Sequence, residues 1–103
     1  MGAVEQGDLL RVGGLKYPVI AVSNDFFNQS EKAIVCPILP AAAPGPLHIP
    51  LPEGCPVKGW VLCEQVKFVD LGARRFSRLG AVSPYDIMDI SDAVMGIFDW
   101  QQL

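Results

Sequence analysis

Glu64 is followed three residues later by Lys67, and then by Arg74, Arg75 and Arg78. A carboxylate on an apolar face has a raised pKa and can serve as a general base. The same carboxylate can instead close a structural ion pair with Arg74 or Arg75. Lys67, Arg74 and Arg75 have the chemistry of a phosphate clamp, or of a solvated turn. Tyr17, preceded by Lys16, offers a hydroxyl, or a ring on which a nucleobase stacks, or a cap on the core with its OH at the surface. His48, the single imidazole, stands two residues before Pro50 and reads as a surface residue. Ser23, Asn24, Asp25 and Asn28 share one polar segment, where such side chains hydrogen-bond the local backbone.

The 103 residues suffice for one compact domain, residues 1–103, and half of them are hydrophobic. The formal net charge of −3 is unusual for a chain that grips a polyanion. The charge is unevenly placed. Residues 58–78 carry five bases and two acids, whereas residues 83–100 carry four aspartates and no base. Three cysteines without C-x-x-C spacing and one histidine give no zinc site. Cys36 and Cys63 lie within apolar runs and read as reduced core residues. Met1 to Asp8 has neither a basic nor an apolar segment, so no signal peptide is expected. The apolar stretch Ala33 to Leu47 is broken by four prolines, which excludes a membrane helix there. A cytoplasmic protein is the expectation.

Short strands must position these side chains. Leu9 to Val12 reads as a first strand, joined through Gly13-Gly14 to a second at Tyr17 to Ser23. Val19 to Val22 is uninterrupted apolar sequence, as is most of Ala33 to Ile38, and such runs belong at a sheet centre. Leu47 to Leu51 alternates, and Pro50 lacks an N–H donor, so it reads as an edge strand. Trp60 to Asp70 reads as one long strand. Strict alternation puts Trp60, Leu62, Glu64, Val66 and Phe68 on one face. Glu64 is then recessed, unless a bulge near Gln65 flips the register. Arg78 to Val82 reads as a short last strand. Ser83-Pro84-Tyr85-Asp86 opens a helix with an N-cap serine, a proline at the first position and an acid at the third. Ile87, Ile90, Val94 and Ile97 form its apolar stripe. Gly96 within that helix predicts a close contact, since glycine there costs about 1 kcal/mol relative to alanine. The sum is a mainly β chain of the α+β class, a small antiparallel barrel closed by a C-terminal helix.

Several segments in order resemble the MazF/PemK toxin family: Gly7-Asp8-Leu9-Leu10; Pro18 to Asp25 with Asn28; Cys36-Pro37-Ile38; Glu64-Gln65-Val66-Lys67; and Asp70 with Arg74-Arg75. The resemblance implies an SH3-like, CcdB/MazF-type barrel. It also implies the toxin of a type II toxin–antitoxin pair, a homodimer that cuts single-stranded mRNA without metal or cofactor and is held by a cognate antitoxin. On that footing Glu64, Lys16 and Tyr17 are the catalytic candidates. Lys67, Arg74, Arg75, Asn24 and Asp25 are the RNA-binding candidates.

The chain departs from the family pattern at its chemical positions. Tyr17 stands where the family places an arginine, with Lys16 one residue earlier as a substitute phosphate clamp. Leu39 replaces a serine or threonine. Leu62 replaces an arginine used by some members. The long loop between the first two strands shrinks to Gly13-Gly14-Leu15 and carries no histidine. Two functions fit this pattern. One is a nuclease with a rebuilt site. The other is a toxin-fold module that binds a protein partner, an antitoxin or a gyrase-like target, without cutting RNA. For the second, Phe98-Asp99-Trp100 is similar to the Trp-containing tail with which CcdB toxins poison gyrase.

Overall fold

The computed structural model describes residues 3–101. The reading of the opening segment therefore falls in part, at Met1 and Gly2, outside the described residues. The elements are β1 (Asp8–Val12), β2 (Val19–Ala21), α1 (Asp25–Asn28), β3 (Lys32–Leu39), β4 (His48–Pro50), β5 (Trp60–Leu62), β6 (Lys67–Asp70), β7 (Phe76–Ala81) and α2 (Pro84–Ile97). Strand pairing follows the order β4-β5-β3-β2-β1-β7, with β6 also paired to β3. All pairs are antiparallel. No ladder joins β4 to β7 among the described residues, so the sheet is hydrogen-bonded as an open one.

The apolar runs occupy the centre, as their composition requires. β1 and β2 form the hairpin expected around Gly13-Gly14, with Leu9 opposite Ile20 and Leu10 opposite Val19. β2 pairs with β3 through Val19 and Pro37, Ile20 and Cys36, and Ala21 and Val35. Successive side chains point to opposite faces, so these strands feed two cores. One face buries Leu10, Val12, Val19, Ala21, Ala33, Val35 and Val69. The other buries Leu9, Ile20, Cys36, Ile38, Val61 and Cys63. Each fully buried Leu or Ile contributes about 1.5–3 kcal/mol. The thiols of Cys36 and Cys63 are pushed up to about 12 and about 11, chiefly by burial, which leaves them protonated and inert.

The helix α2 covers the second core. Ser83 is its N-cap, with its hydroxyl accepting from the Asp86 amide at 3.2 Å and Pro84 following at the first turn. Ile90 is buried, and Ile87, Ala93 and Val94 pack around it. The stripe stops short of Ile97, which is 43% exposed. The expected close contact at Gly96 is also absent: a Cβ there would meet nothing within 4 Å. Gly96→Ala is therefore expected to stabilise the fold by about 0.5–1 kcal/mol, read as a higher denaturation midpoint in urea.

The segment Trp60 to Asp70 is not one strand. β5 pairs with the far half of β3, Ile38 opposite Val61, whereas β6 pairs with its near half, Val35 opposite Lys67. Continuing the register of β5 would bring Glu64 opposite Val35, so three residues are looped out. A turn closed by the Gln65 amide on the Leu62 carbonyl, at 3.1 Å, makes the break. Of the two readings of this segment, a flipped register is the one realised. Glu64 lies in the turn and faces solvent.

Candidate functional site

The looped-out turn, the β1–β2 connection and the floor of β2 and β3 enclose a groove of about 180 Å³. Leu15, Lys16, Tyr17, Val19, Val35, Pro37, Gln65 and Lys67 line it. Three sequence-predicted candidates, Lys16, Tyr17 and Lys67, thus meet in one place. The short Gly13-Gly14 turn sets Lys16 and Tyr17 just ahead of β2. The register of β6 sets Lys67 opposite Val35. The Lys16 ammonium lies 5.2 Å from the centre of the Tyr17 ring, a cation–π contact that holds the two side chains together. Among the described residues no carboxylate lies within 4.0 Å of Lys16 or Lys67. The groove therefore presents two uncompensated positive charges on an apolar floor, which suits a phosphate.

Glu64 is not in the cluster expected for it. Its carboxylate meets His48, Oε1 to Nε2 at 3.0 Å, and neither Arg74 nor Arg75. The expectation of a recessed carboxyl with a raised pKa fails for the same reason. Partial desolvation pushes Glu64 up, but its own backbone amide, the hydrogen bond and charge of His48 and the Gln65 side chain together hold it below its ordinary 4.5. His48 moves the other way. The Ala43 carbonyl, 2.6 Å from Nδ1, and then Glu64 hold it above its ordinary 6.5. Sequence reading set His48 aside as a surface residue. The signal that it faces residue 64 is the pairing of β4 with β5, His48 opposite Leu62, which local sequence does not specify.

The remaining candidates separate. Arg74 donates to the Gly13 carbonyl at 3.2 Å and braces the β1–β2 turn. With Arg75 it lines a different depression, of about 670 Å³, that also holds Glu31 and Asn28. The β6–β7 turn carries both arginines there, so the expected patch of Lys67 with Arg74 and Arg75 is divided. Asn24 and Asp25 have local tasks. Asn24 caps α1 by accepting from the Phe27 amide at 2.9 Å, and Asp25 accepts from the Gln6 amide at 2.7 Å. They line a third depression, beside Pro84 and Ile87 of α2, whose lining includes none of Lys16, Tyr17 or Lys67. The buried Asn28 donates to the Ser23 carbonyl, and Ser23 accepts from the Ile34 amide. The polar segment thus ties α1 to β3, as its composition predicts.

A second, apolar groove of about 450 Å³ runs beside the C-terminal half of α2. Val22, Phe27, Ile34, Val66, Val94, Met95 and Phe98 line it. Met95 and Phe98 of this lining are exposed, as is Trp100 past the end of α2. Among the described residues no helix is long and apolar enough to cross a membrane.

Known proteins share this arrangement of strands and helix. The MazE–MazF complex (Form-I) from Deinococcus radiodurans superposes with a TM-score of 0.86 at 19% identity, covering 95% of this chain and 98% of that one. A mycobacterial endoribonuclease in complex with its cognate antitoxin gives 0.82 at 19% identity, covering 96% and 100%. The Mycobacterium tuberculosis toxin MazF-mt6 gives 0.71 at 14% identity, covering 89% and 99%. At these identities the likeness is one of fold. No curated protein sequence matches the chain. Residues 11–98 match the family described as PemK-like, MazF-like toxin of type II toxin–antitoxin system. With that match spanning most of the chain, and the fold agreeing, the chain belongs to the PemK/MazF family of type II toxin–antitoxin toxins.

Proposed function

We propose that this toxin is a metal-independent endoribonuclease that cuts single-stranded RNA. It works in the cytoplasm as a homodimer and is neutralised by a cognate antitoxin. The observation that carries the reading is the groove of Lys16, Tyr17, Gln65 and Lys67, whose two lysines have no carboxylate within 4.0 Å among the described residues. A phosphodiester held between Lys16 and Lys67 has its charge met as it grows in the transition state. Tyr17 provides a face on which a neighbouring base stacks. The reaction needs no external nucleophile. The ribose 2′-oxygen attacks the adjacent phosphorus, the bond to the 5′-oxygen breaks, and the products carry a 2′,3′-cyclic phosphate and a 5′-hydroxyl. In this reading Glu64, in the turn beside Gln65, takes the 2′-hydroxyl proton.

Purified toxin incubated with a long single-stranded RNA in EDTA is expected to give endonucleolytic fragments with cyclic phosphate ends. RNA left intact at a large excess of protein overturns the reading. A second reading, a partner-binding module without catalysis, draws on the apolar groove and on exposed Met95, Phe98 and Trp100. The same incubation separates the two, because a module of that kind leaves the RNA whole.

A further inference from the structure

His48 sits between two acceptors. Its Nδ1 lies 2.6 Å from the Ala43 carbonyl oxygen, and its Nε2 lies 3.0 Å from Glu64 Oε1. A neutral imidazole has one N–H and satisfies only one of them. With Glu64 ionised, both contacts are satisfied only by an imidazolium. Among the described residues, Glu64 is the charged group paired with the ring. The loop before β4 contributes the Ala43 carbonyl, β5 sets Leu62 opposite, and the β5–β6 turn contributes Glu64. At rest the pair therefore consists of a protonated acid and an unprotonated base. These are the states that RNA transesterification requires of its two proton-transfer groups.

The strand registers put the pair on the groove side of the sheet. Paired residues share a face, and neighbours along a strand do not. His48 pairs with Leu62, so both face away from Val61. Val61 pairs with Ile38 on the α2-covered core. Pro37, next to Ile38, pairs with Val19, and both line the groove. His48 thus shares a face with Pro37 and Val19, two strand spacings from Pro37, or about 10 Å. The Glu64–Gln65 turn spans that gap, with Gln65 in the groove and Glu64 on the imidazole.

We propose that His48 is the general acid of RNA cleavage, working with Glu64 as general base at the rim of the Lys16–Tyr17–Lys67 groove. The proposal rests on the ribonuclease reading above. Glu64 takes the proton of the 2′-hydroxyl as its oxygen bonds to phosphorus. The Nε2–H of His48 leaves its contact with Glu64 and gives its proton to the departing 5′-oxygen. One proton is accepted and one is released, which leaves a neutral carboxyl beside a neutral imidazole. Their direct hydrogen bond then returns the proton from Glu64 to His48, and the pair is reset. The family's usual cation and hydroxyl are replaced here by Tyr17 and Leu39.

The test compares a normal RNA with one whose scissile 5′-oxygen is sulfur, a leaving group that needs no proton. On the normal RNA, His48→Asn is expected to lose about 10²–10⁴-fold in cleavage, with RNA binding and melting temperature unchanged. On the sulfur substrate its rate is expected to approach that of the unaltered toxin. The wild-type pH profile should fall on the alkaline side as His48 loses its proton. That fall should vanish with the sulfur substrate, a readout that needs no variant. If the toxin cuts normal RNA but His48→Asn cuts equally well, or is not rescued by sulfur, the His48 assignment is overturned and the ribonuclease stands. An alkaline limb that is the same on both substrates overturns it as well. If the wild type cuts neither substrate, both readings fall together.

Discussion

Lys67→Ala is expected to slow RNA cleavage by about 10²–10³-fold, the usual loss when one preorganised donor is removed from a developing oxyanion. Lys67 is suited to this because nothing else in the fold claims its charge. It is exposed and lies opposite Val35 on the groove floor, and no carboxylate stands within 4.0 Å among the described residues. The same exposure means that the substitution should leave the melting temperature within error. Binding supplies a second readout. One phosphate contact to a single strand accounts for about 0.7 of the slope of log affinity against log salt. The variant should lose about that much slope, uniformly across RNA sequences. Lys67→Arg keeps the charge and should retain most of the activity. Rates measured on a defined single-stranded RNA at several salt concentrations check all three statements. A full rate for Lys67→Ala removes the groove from the mechanism.

How much of this was legible in the sequence depends on range. The β1–β2 hairpin and α2 announce themselves locally, through Gly13-Gly14, and through Ser83, Pro84 and the apolar stripe. The central strands announce themselves by composition, since Val19 to Val22 can only be buried on both faces. Lys16 and Tyr17 were readable as neighbours for the same local reason. Glu64 was not, because alternation carries no record of residues looped out of a ladder. Three looped-out residues turn a recessed carboxyl into an exposed one. His48 was the harder case. Its partner lies 16 positions along the chain, beyond a Pro-rich loop, and only the β4–β5 register brings them together. Arg74 and Arg75 were misplaced because a turn conformation, not a period, decides which side of the sheet they join.

The net charge of −3 and the proposed phosphate-binding role of the groove are compatible for a structural reason. The four aspartates from Asp86 to Asp99 lie on or just past α2, which packs on the core away from the groove face. Lys16 and Lys67 lie on the opposite face with Val19 and Val35. Screening at physiological salt limits exposed charges to a reach of about 8 Å. The local pair of cations therefore sets the field in the groove, and the global sign does not cancel it.

Gly59→Ala is expected to be the most damaging small substitution for the fold, and it also tests how the site is built. Gly59 has φ +143, a backbone conformation that a side chain rarely adopts. A Cβ there would press into the Leu39 carbonyl oxygen and lie 3.1 Å from Ile38 Cγ2. Its own carbonyl accepts from the Leu51 amide at 2.9 Å, just past β4. Conformational strain and overpacking add, at about 1–3 kcal/mol each. The sum is about 2–6 kcal/mol, or a fall in melting temperature of roughly 8–48 °C for a domain of this size. Gly54→Ala is the control. Its φ is +85, but a Cβ there meets nothing within 4 Å, so only the strain remains. The damage at Gly59 falls on β3–β5 and the exit from β4, the strands that hold His48 beside Glu64. Lys16 and Lys67 are set by β2, β6 and the near half of β3. Below its melting temperature, the Gly59→Ala protein should therefore bind RNA far better than it cuts it. Equal losses of binding and cutting would mean that the groove and the His48–Glu64 pair are positioned as one unit.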